Sequence, residues 1–322
     1  MSNINLSVLD LVTAFNGQSA RDAIDRAAAV AAGVEKLGWI RYLVAEHHNM
    51  PSTLSSATSV VIQRILSKTD RIQVGAGGVM LPNHSPLQVA EVYGTLDALY
   101  PGRVDLGIGR APGTDPAAAS LLIRKTYADS ADFAHDVALI MHFFGPQEQQ
   151  KVVGAYPGAG AEVHPIILGS SYSSAHVAAA LGLPYAFAAH FSPHDVKPAA
   201  EIYRSEFKPS KYLSEPYFIV SVWLYASDTA EEAEEMYETG GKLFLKAIHG
   251  REESGELLTS AEKILLSQTM GRVLKGDRQQ IAEQWEQLHA ELHPNELMAA
   301  SASPDAQKLI RSFTVLNEAV RS

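Results

Sequence analysis

Residues 74–115 read VGAGGVMLPNHSPLQVAEVYGTLDALYPGRVDLGIGRAPGTD, and their order decides the fold. The run Ile72–Met80 begins apolar and β-branched and turns glycine-rich, the pattern of a strand ending in an unusual backbone. Ser85-Pro86-Leu87-Gln88 then opens a helix with an N-cap serine, a proline at the first helical position and a glutamine at N3. Pro101-Gly102 stops it, and Val104–Gly109 is a second strand followed at once by Arg110. Strand, helix and strand in so short a span make a β/α unit, and its polar residues collect where the strands end.

The same alternation extends in both directions. Upstream, Leu6–Val12 and Tyr42–Ala45 read as strands. The helices behind them start at Ser19, with the apolar stripe Ile24, Ala27, Ala28, Ala31, Val34 and Leu37, and at Thr53. Downstream, a helix is expected over Ser130–Phe144, then strands Pro165–Leu168, Tyr185–Ala189 and Tyr217–Ala226, each followed by a helical pattern. Glu296–Ala300 supplies an eighth strand and Ser303-Pro304 caps a last helix. Eight strands each followed by a helix predict a (β/α)8 TIM barrel over residues 1–322. A doubly wound open sheet is the rival, and the absence of GxGxxG after the first strand favours the barrel. Two stretches read as insertions, 145–163 and 249–276, the second polar enough to serve as a lid over a site.

Composition narrows the function. The net charge of -10 disfavours nucleic acid and anionic membrane as partners. With no cysteine, disulfides, thiolate metal sites, iron–sulfur clusters and thiol nucleophiles are excluded, so redox chemistry requires a cofactor. MSNINLSVLDLVT has no basic segment leading into an apolar one, and no apolar run is long enough to span a bilayer, so a cytoplasmic protein is expected.

The candidate site residues lie at strand ends. Ala45-Glu46-His47-His48 puts a carboxylate and two imidazoles directly after a buried strand. Such groups serve as metal ligands, as an acid/base set beside a cofactor, or as a cluster that pairs internally. Gly75-Ala76-Gly77-Gly78 suits either a flat ligand against bare backbone or a bulge. Arg110 after Gly107-Ile108-Gly109 suits a forked contact to phosphate, or a structural ion pair. Gly169-Ser170-Ser171-Tyr172-Ser173-Ser174 leads into a helix and suits an anion site, or a plain serine cap. Arg110 and this serine loop follow adjacent strands, which favours a phosphate-bearing cofactor. His190 ends the sixth strand, and Trp223 and Tyr225 read as core at period two. His84 reads as positioning the Asn83 turn, and Glu231–Glu235 as a solvated helix face.

AEHH, the long stretch through LGIGR, and LGSSYSSAHVAAALGLP together resemble the bacterial luciferase-like monooxygenases over nearly the whole chain. The resemblance implies a barrel binding FMN at the C-terminal strand ends. It implies phosphate contacts from Arg110, Ser171 and Ser174, with Ser170 where luciferase has an acidic residue. It implies a cis peptide at Gly77-Gly78 against the flavin ring, an active-site histidine at His47 and a flavin-side carboxylate at Glu46. The chemistry implied is reduced FMN reacting with dioxygen to a C4a-peroxide that oxygenates a small organic substrate. The resemblance further implies His47 as acid/base or as hydrogen-bond partner of the peroxide or substrate, reduced flavin from a separate reductase, and a homodimer through the early helices. The chain departs from luciferase in having no cysteine, so light emission and an aldehyde substrate do not carry over. Two rivals are an F420-dependent hydride-transfer enzyme on the same barrel and a non-catalytic flavin-binding protein.

Overall fold

The computed structural model describes residues 4–249 and 258–321. The elements in chain order are β1 (Asn5–Asp10), α1 (Ala20–Lys36), β2 (Arg41–Val44), α2 (Thr58–Leu66), β3 (Gln73–Met80), α3 (Pro86–Leu99), β4 (Val104–Gly109), α4 (Pro116–Leu122) and α5 (Ser130–Phe143). They continue with β5 (His164–Gly169), α6 (Tyr172–Leu181), β6 (Tyr185–Ala188), α7 (Val196–Glu206), β7 (Phe218–Ala226), α8 (Ala230–His249), α9 (Ser260–Thr269), β8 (Val273–Gly276), α10 (Arg278–Leu292), β9 (Glu296–Ala300) and α11 (Ala306–Arg321).

Among the described residues, every pairing between these strands is parallel. β1 through β7 pair in sequence, and β9 closes the ring between β7 and β1, with Leu297 opposite both Val220 and Leu6. This is the expected (β/α)8 barrel. Strand residues alternate between two packing environments, as the period of two requires. Leu6, Val8, Tyr42, Val44, Leu106 and Ile108 face the helices. Leu9, Leu43, Ile166, Ala186, Ile219 and Met298 fill the barrel interior.

Local chemistry holds the helices in place. Ser19 and Asp22 form a reciprocal capping box at the start of α1. Gly38, with φ +79°, ends that helix in the left-handed conformation that glycine adopts at no steric cost. Glu35 near its end accepts hydrogen bonds from the backbone N–H of Asp70, Arg71 and Ile72 at 3.0, 2.6 and 2.8 Å, which ties α1 to the segment leading into β3. α1 also approaches α11 so closely that a Cβ on Gly33 would lie 2.5 Å from Ile310 Cδ1.

The lower end of the barrel is closed by charge. Arg41 on β2 reaches Asp105 on β4 at 2.9 Å and Glu296 on β9 at 3.0 Å. β2 neighbours neither strand, so the guanidinium crosses the interior. Both carboxylates are fully buried. Burial opposes the charge of Arg41, but the two carboxylates outweigh it and hold its pKa above the ordinary value. Tyr217 donates to Glu296 at 2.9 Å and extends the network.

Several boundaries differ from the sequence reading. α2 begins at Thr58 rather than Thr53, because residues 46–57 are committed to the site loop. Ser85 occupies the N-cap of α3, yet its side chain makes no capping bond. α4 lies in the loop after Arg110 and was not expected. The stretch 145–163 is more than surface decoration: Ala155 and Val163 are buried, and Asp97 on α3 accepts from Glu162 N at 2.9 Å. Of the expected lid 249–276, residues 250–257 lie outside the described residues. The remainder is built into the sheet, with α9 leading into β8. β8 pairs with the upper half of β7, Trp223 opposite Val273 through Ala226 opposite Gly276. It also continues the line of β6, through Arg272 N to Ala189 O at 2.8 Å and Gly271 N to His190 O at 3.0 Å.

Candidate active site

A cavity of about 430 Å³ opens at the C-terminal ends of the strands. That is within the range of small-molecule and cofactor sites. It gathers His47 from β2, Gly77 and Gly78 from β3, Arg110 from β4, Ser170, Ser171 and Ser174 from β5 and α6, and His190 from β6. Glu46 is the one predicted site residue that the structure keeps out of it.

The phosphate end is built on β4, β5 and two helix starts. Arg110 is exposed at the cavity rim, and among the described residues no carboxylate pairs with it. The ion-pair reading of Arg110 thus has no partner to support it. Ser171 stands at the N-cap of α6 with extended backbone but makes no side-chain capping bond, leaving the helix's N-terminal dipole open toward the cavity. Ser174 is buried; its hydroxyl bonds the Ser171 carbonyl at 2.6 Å and the Tyr185 hydroxyl at 2.9 Å. Gly169 makes this possible, since a Cβ there would lie 2.2 Å from Ser174 Oγ. Ser130, which starts α5, and Ser173 line the same cavity.

The inner end is flat and apolar. The Gly77-Gly78 peptide is cis, and both residues line the cavity with Gly109. A Cβ on Gly77 would strike Leu9 and Leu43 at 2.5 and 2.9 Å, so barrel packing alone demands glycine there. Leu9, Leu11, Ala45, Ala188 and Phe191 complete the wall.

Two imidazoles face this end. His47 Nδ1 lies 3.3 Å from the Gly113 carbonyl, which fixes the tautomer with Nδ1 donating and leaves Nε2 as an acceptor. Burial lowers its pKa below the ordinary histidine value. His190 is almost fully buried, and burial takes its pKa down to about 4. Both rings are therefore neutral at pH 7.

Glu46 turns outward from this cavity. Its carboxylate accepts from His84 Nε2 at 2.7 Å, His48 Nε2 at 3.0 Å and Met80 N at 3.3 Å. Burial pushes its pKa up, but these bonds outweigh it and hold the carboxyl below its ordinary value. The internal-pairing reading of Glu46 and His48 accounts for these contacts. His84, expected to position a turn, is in fact a partner of Glu46. Behind the carboxylate is a smaller cavity of about 170 Å³ lined by Ser56, Thr58, His84, Gln88 and Tyr93. Among the described residues no three His, Asp or Glu side chains are arranged to hold a metal ion.

Sequence reasoning missed Leu9, Leu11, Met80, Ser130, Phe133 and Phe191 as lining residues. Leu9 and Leu11 were within reach, because period two places them on the inward face with Ser7. Ser130 follows the capping Asp129, a signal for a helix start but not for where that start points.

The family model described as luciferase-like monooxygenase matches residues 4–306. A luciferase-like monooxygenase of Escherichia coli is 39% identical over 320 residues, covering 96% of this chain and 95% of that protein. Among solved structures, apo-MsnO8 superposes with a TM-score of 0.87 at 29% identity, covering 99% of each chain. The FMN complex of the oxygenating constituent of 3,6-diketocamphane monooxygenase from Pseudomonas putida gives 0.73 at 16%, covering 98% of this chain and 97% of that one. An F420-dependent secondary alcohol dehydrogenase in complex with an F420-acetone adduct gives 0.70 at 16%, covering 100% of each. These last two share the fold.

Proposed function

The chain belongs to the luciferase-like monooxygenase family, and from that premise we propose that it is an FMN-dependent monooxygenase acting on a small organic substrate. The observation that carries the cofactor assignment is the unpaired Arg110 beside the uncapped start of α6, at one end of a cavity whose other end is bare glycine backbone. That arrangement fits one phosphate group joined to a planar ring. Arg110 is also the one cation among the described lining residues. FMN ends in a single phosphate, whereas F420 carries further carboxylates along its tail for which the described wall offers no cation; this supports FMN.

In this reading Arg110, Ser171 and Ser174, with Ser170 beside them, hold the phosphate. Gly77, Gly78 and His190 bear on the ring. When bound, reduced FMN would supply the two electrons by which one atom of dioxygen goes to the substrate and the other to water. His47 accepts and returns a proton at Nε2, while its Nδ1–H stays on the Gly113 carbonyl. Glu46 acts from behind the wall by holding Met80 N, and so the end of β3, in register. The apolar wall excludes water, which would otherwise release the oxidant as hydrogen peroxide. Reduced flavin comes from a separate reductase.

Comparison of FMN with riboflavin by quenching of flavin fluorescence tests the assignment. The two differ only in the phosphate. FMN is expected to bind at least about 10- to 100-fold tighter, the worth of one or two charge-assisted hydrogen bonds, and Arg110→Ala should abolish most of that preference. Equal affinities in the wild-type protein refute the phosphate site. His47→Ala should keep FMN affinity and raise the hydrogen peroxide released per flavin oxidised.

A further inference from the structure

The two halves of the cavity differ in charge, and the difference bears on the substrate. Arg110 and the serine loop make one half polar. The other half is lined by Leu9, Leu11, Ala45, Ala188 and Phe191, and among the described lining residues none is a carboxylate and none but Arg110 a cation. Its two titratable groups, His47 and His190, are kept neutral by burial. The nearest acid in sequence, Glu46, spends its carboxylate on the opposite side of the wall.

Phe191 is the exposed member of an aromatic wall. The residue is 46% exposed, unlike the buried Trp223 and His190 it rests on. His190 lies 4.2 Å from it between ring centroids, and Trp223 meets it edge-on at 6.5 Å. Phe244 runs nearly parallel, at 6.4 Å and 16°. The wall is anchored from behind, because Trp223 Nε1 donates to the His190 carbonyl at 3.2 Å and Gly271 N bonds the same carbonyl. An aromatic face left open to a cavity and fixed in position is a surface for an apolar ligand group.

We propose that the part of this half that a bound flavin ring leaves open, beside Phe191, is a charge-excluding substrate subsite, with Phe191 as its specificity-determining residue, and that the substrate is an uncharged apolar compound rather than an ionised acid. The inference rests on the flavin reading, since a bound phosphate would occupy Arg110 and leave no cation for a substrate carboxylate. An ionised group entering this half would lose its hydration with no partner.

The test uses a matched pair of probes, 2-acetylnaphthalene and 2-naphthoate, titrated into the FMN-loaded protein and followed by tryptophan fluorescence or calorimetry. The neutral ketone should bind at least about 30-fold tighter, a modest part of the penalty for burying an unpaired charge. Phe191→Arg should narrow the gap by strengthening naphthoate while FMN affinity stays within a few-fold. Equal or tighter binding of naphthoate by the wild type overturns the proposal, as does failure of both probes to bind at about 1 mM. FMN binding is read separately from flavin fluorescence, so loss of the flavin reading is seen independently. The same pair titrated into flavin-free Arg110→Ala protein reads the polarity of the subsite without the cofactor, and a preference for the ketone is expected there too.

Discussion

His190 gives the clearest physical wager. Its imidazole is 1% exposed in the wall of the cavity. Burial moves its pKa from 6.5 to about 4, and the proximity of His47 adds to that in the same direction. Above the unfolded pKa both states hold a neutral ring and no stability is at stake. As pH falls below it, the unfolded chain takes up a proton that the folded chain refuses, so stability is lost down to the folded pKa. With about 1.4 kcal/mol per pKa unit, the loss is about 2 kcal/mol near pH 5 and about 3 kcal/mol near pH 4. Carboxylates titrate over the lower part of this range, so the comparison is with His190→Asn, which keeps an N–H near the position of Nδ1 but does not ionise. Urea unfolding of the two proteins at several pH values from about 8 to about 4 isolates the single group. The wild type should lose stability relative to the variant by those amounts, with most of the divergence below pH 6. A constant difference across the range refutes the reasoning: His190 would then titrate normally, and the cavity wall would be wetter than its burial implies.

Arg41→Met leaves Asp105 and Glu296 buried without their cation and should cost about 3–5 kcal/mol by urea midpoint; a smaller cost would show that the two acids take up protons or water instead. Gly169→Ala forces Ser174 away from its bonds with Ser171 and Tyr185, and should weaken FMN binding by about tenfold while far-ultraviolet circular dichroism is unchanged. Glu46→Ala leaves two imidazoles and Met80 N without an acceptor and should destabilise the fold by about 2–3 kcal/mol; Glu46→Gln, which keeps an acceptor, should recover part of that. Glu35→Ala releases three backbone N–H groups and should lower stability by about 2–3 kcal/mol without changing FMN affinity.

The barrel was legible because its evidence is local. Periodicity, a capping box at Ser19 and the Ser85-Pro86 start mark elements without reference to neighbours. β8 escaped notice for the opposite reason. Val273-Leu274-Lys275-Gly276 is too short and too polar to announce a strand, and the free upper edge of β7 is what makes it one. α4 was within reach, since Asp115-Pro116 is a capping acid followed by proline at the first helical position. At the site, strand ends told which residues would converge, and Arg110, the serines, His47 and His190 did converge. The orientation of Glu46 was not readable. Two neighbouring positions on an irregular segment can face opposite ways, and the placement of His84, thirty-eight residues away, together with His48 and Met80 N, decides where the carboxylate points.

The charged floor made by Arg41, Asp105 and Glu296 has a consequence for traffic. With the interior above that floor filled by Leu9, Leu43 and Met298, the barrel offers no way through, and the cavity at its upper end is entered and left on one side. A flat ligand laid across the inner glycines is held in place by any molecule that settles above it. A single entrance favours release of the later arrival first.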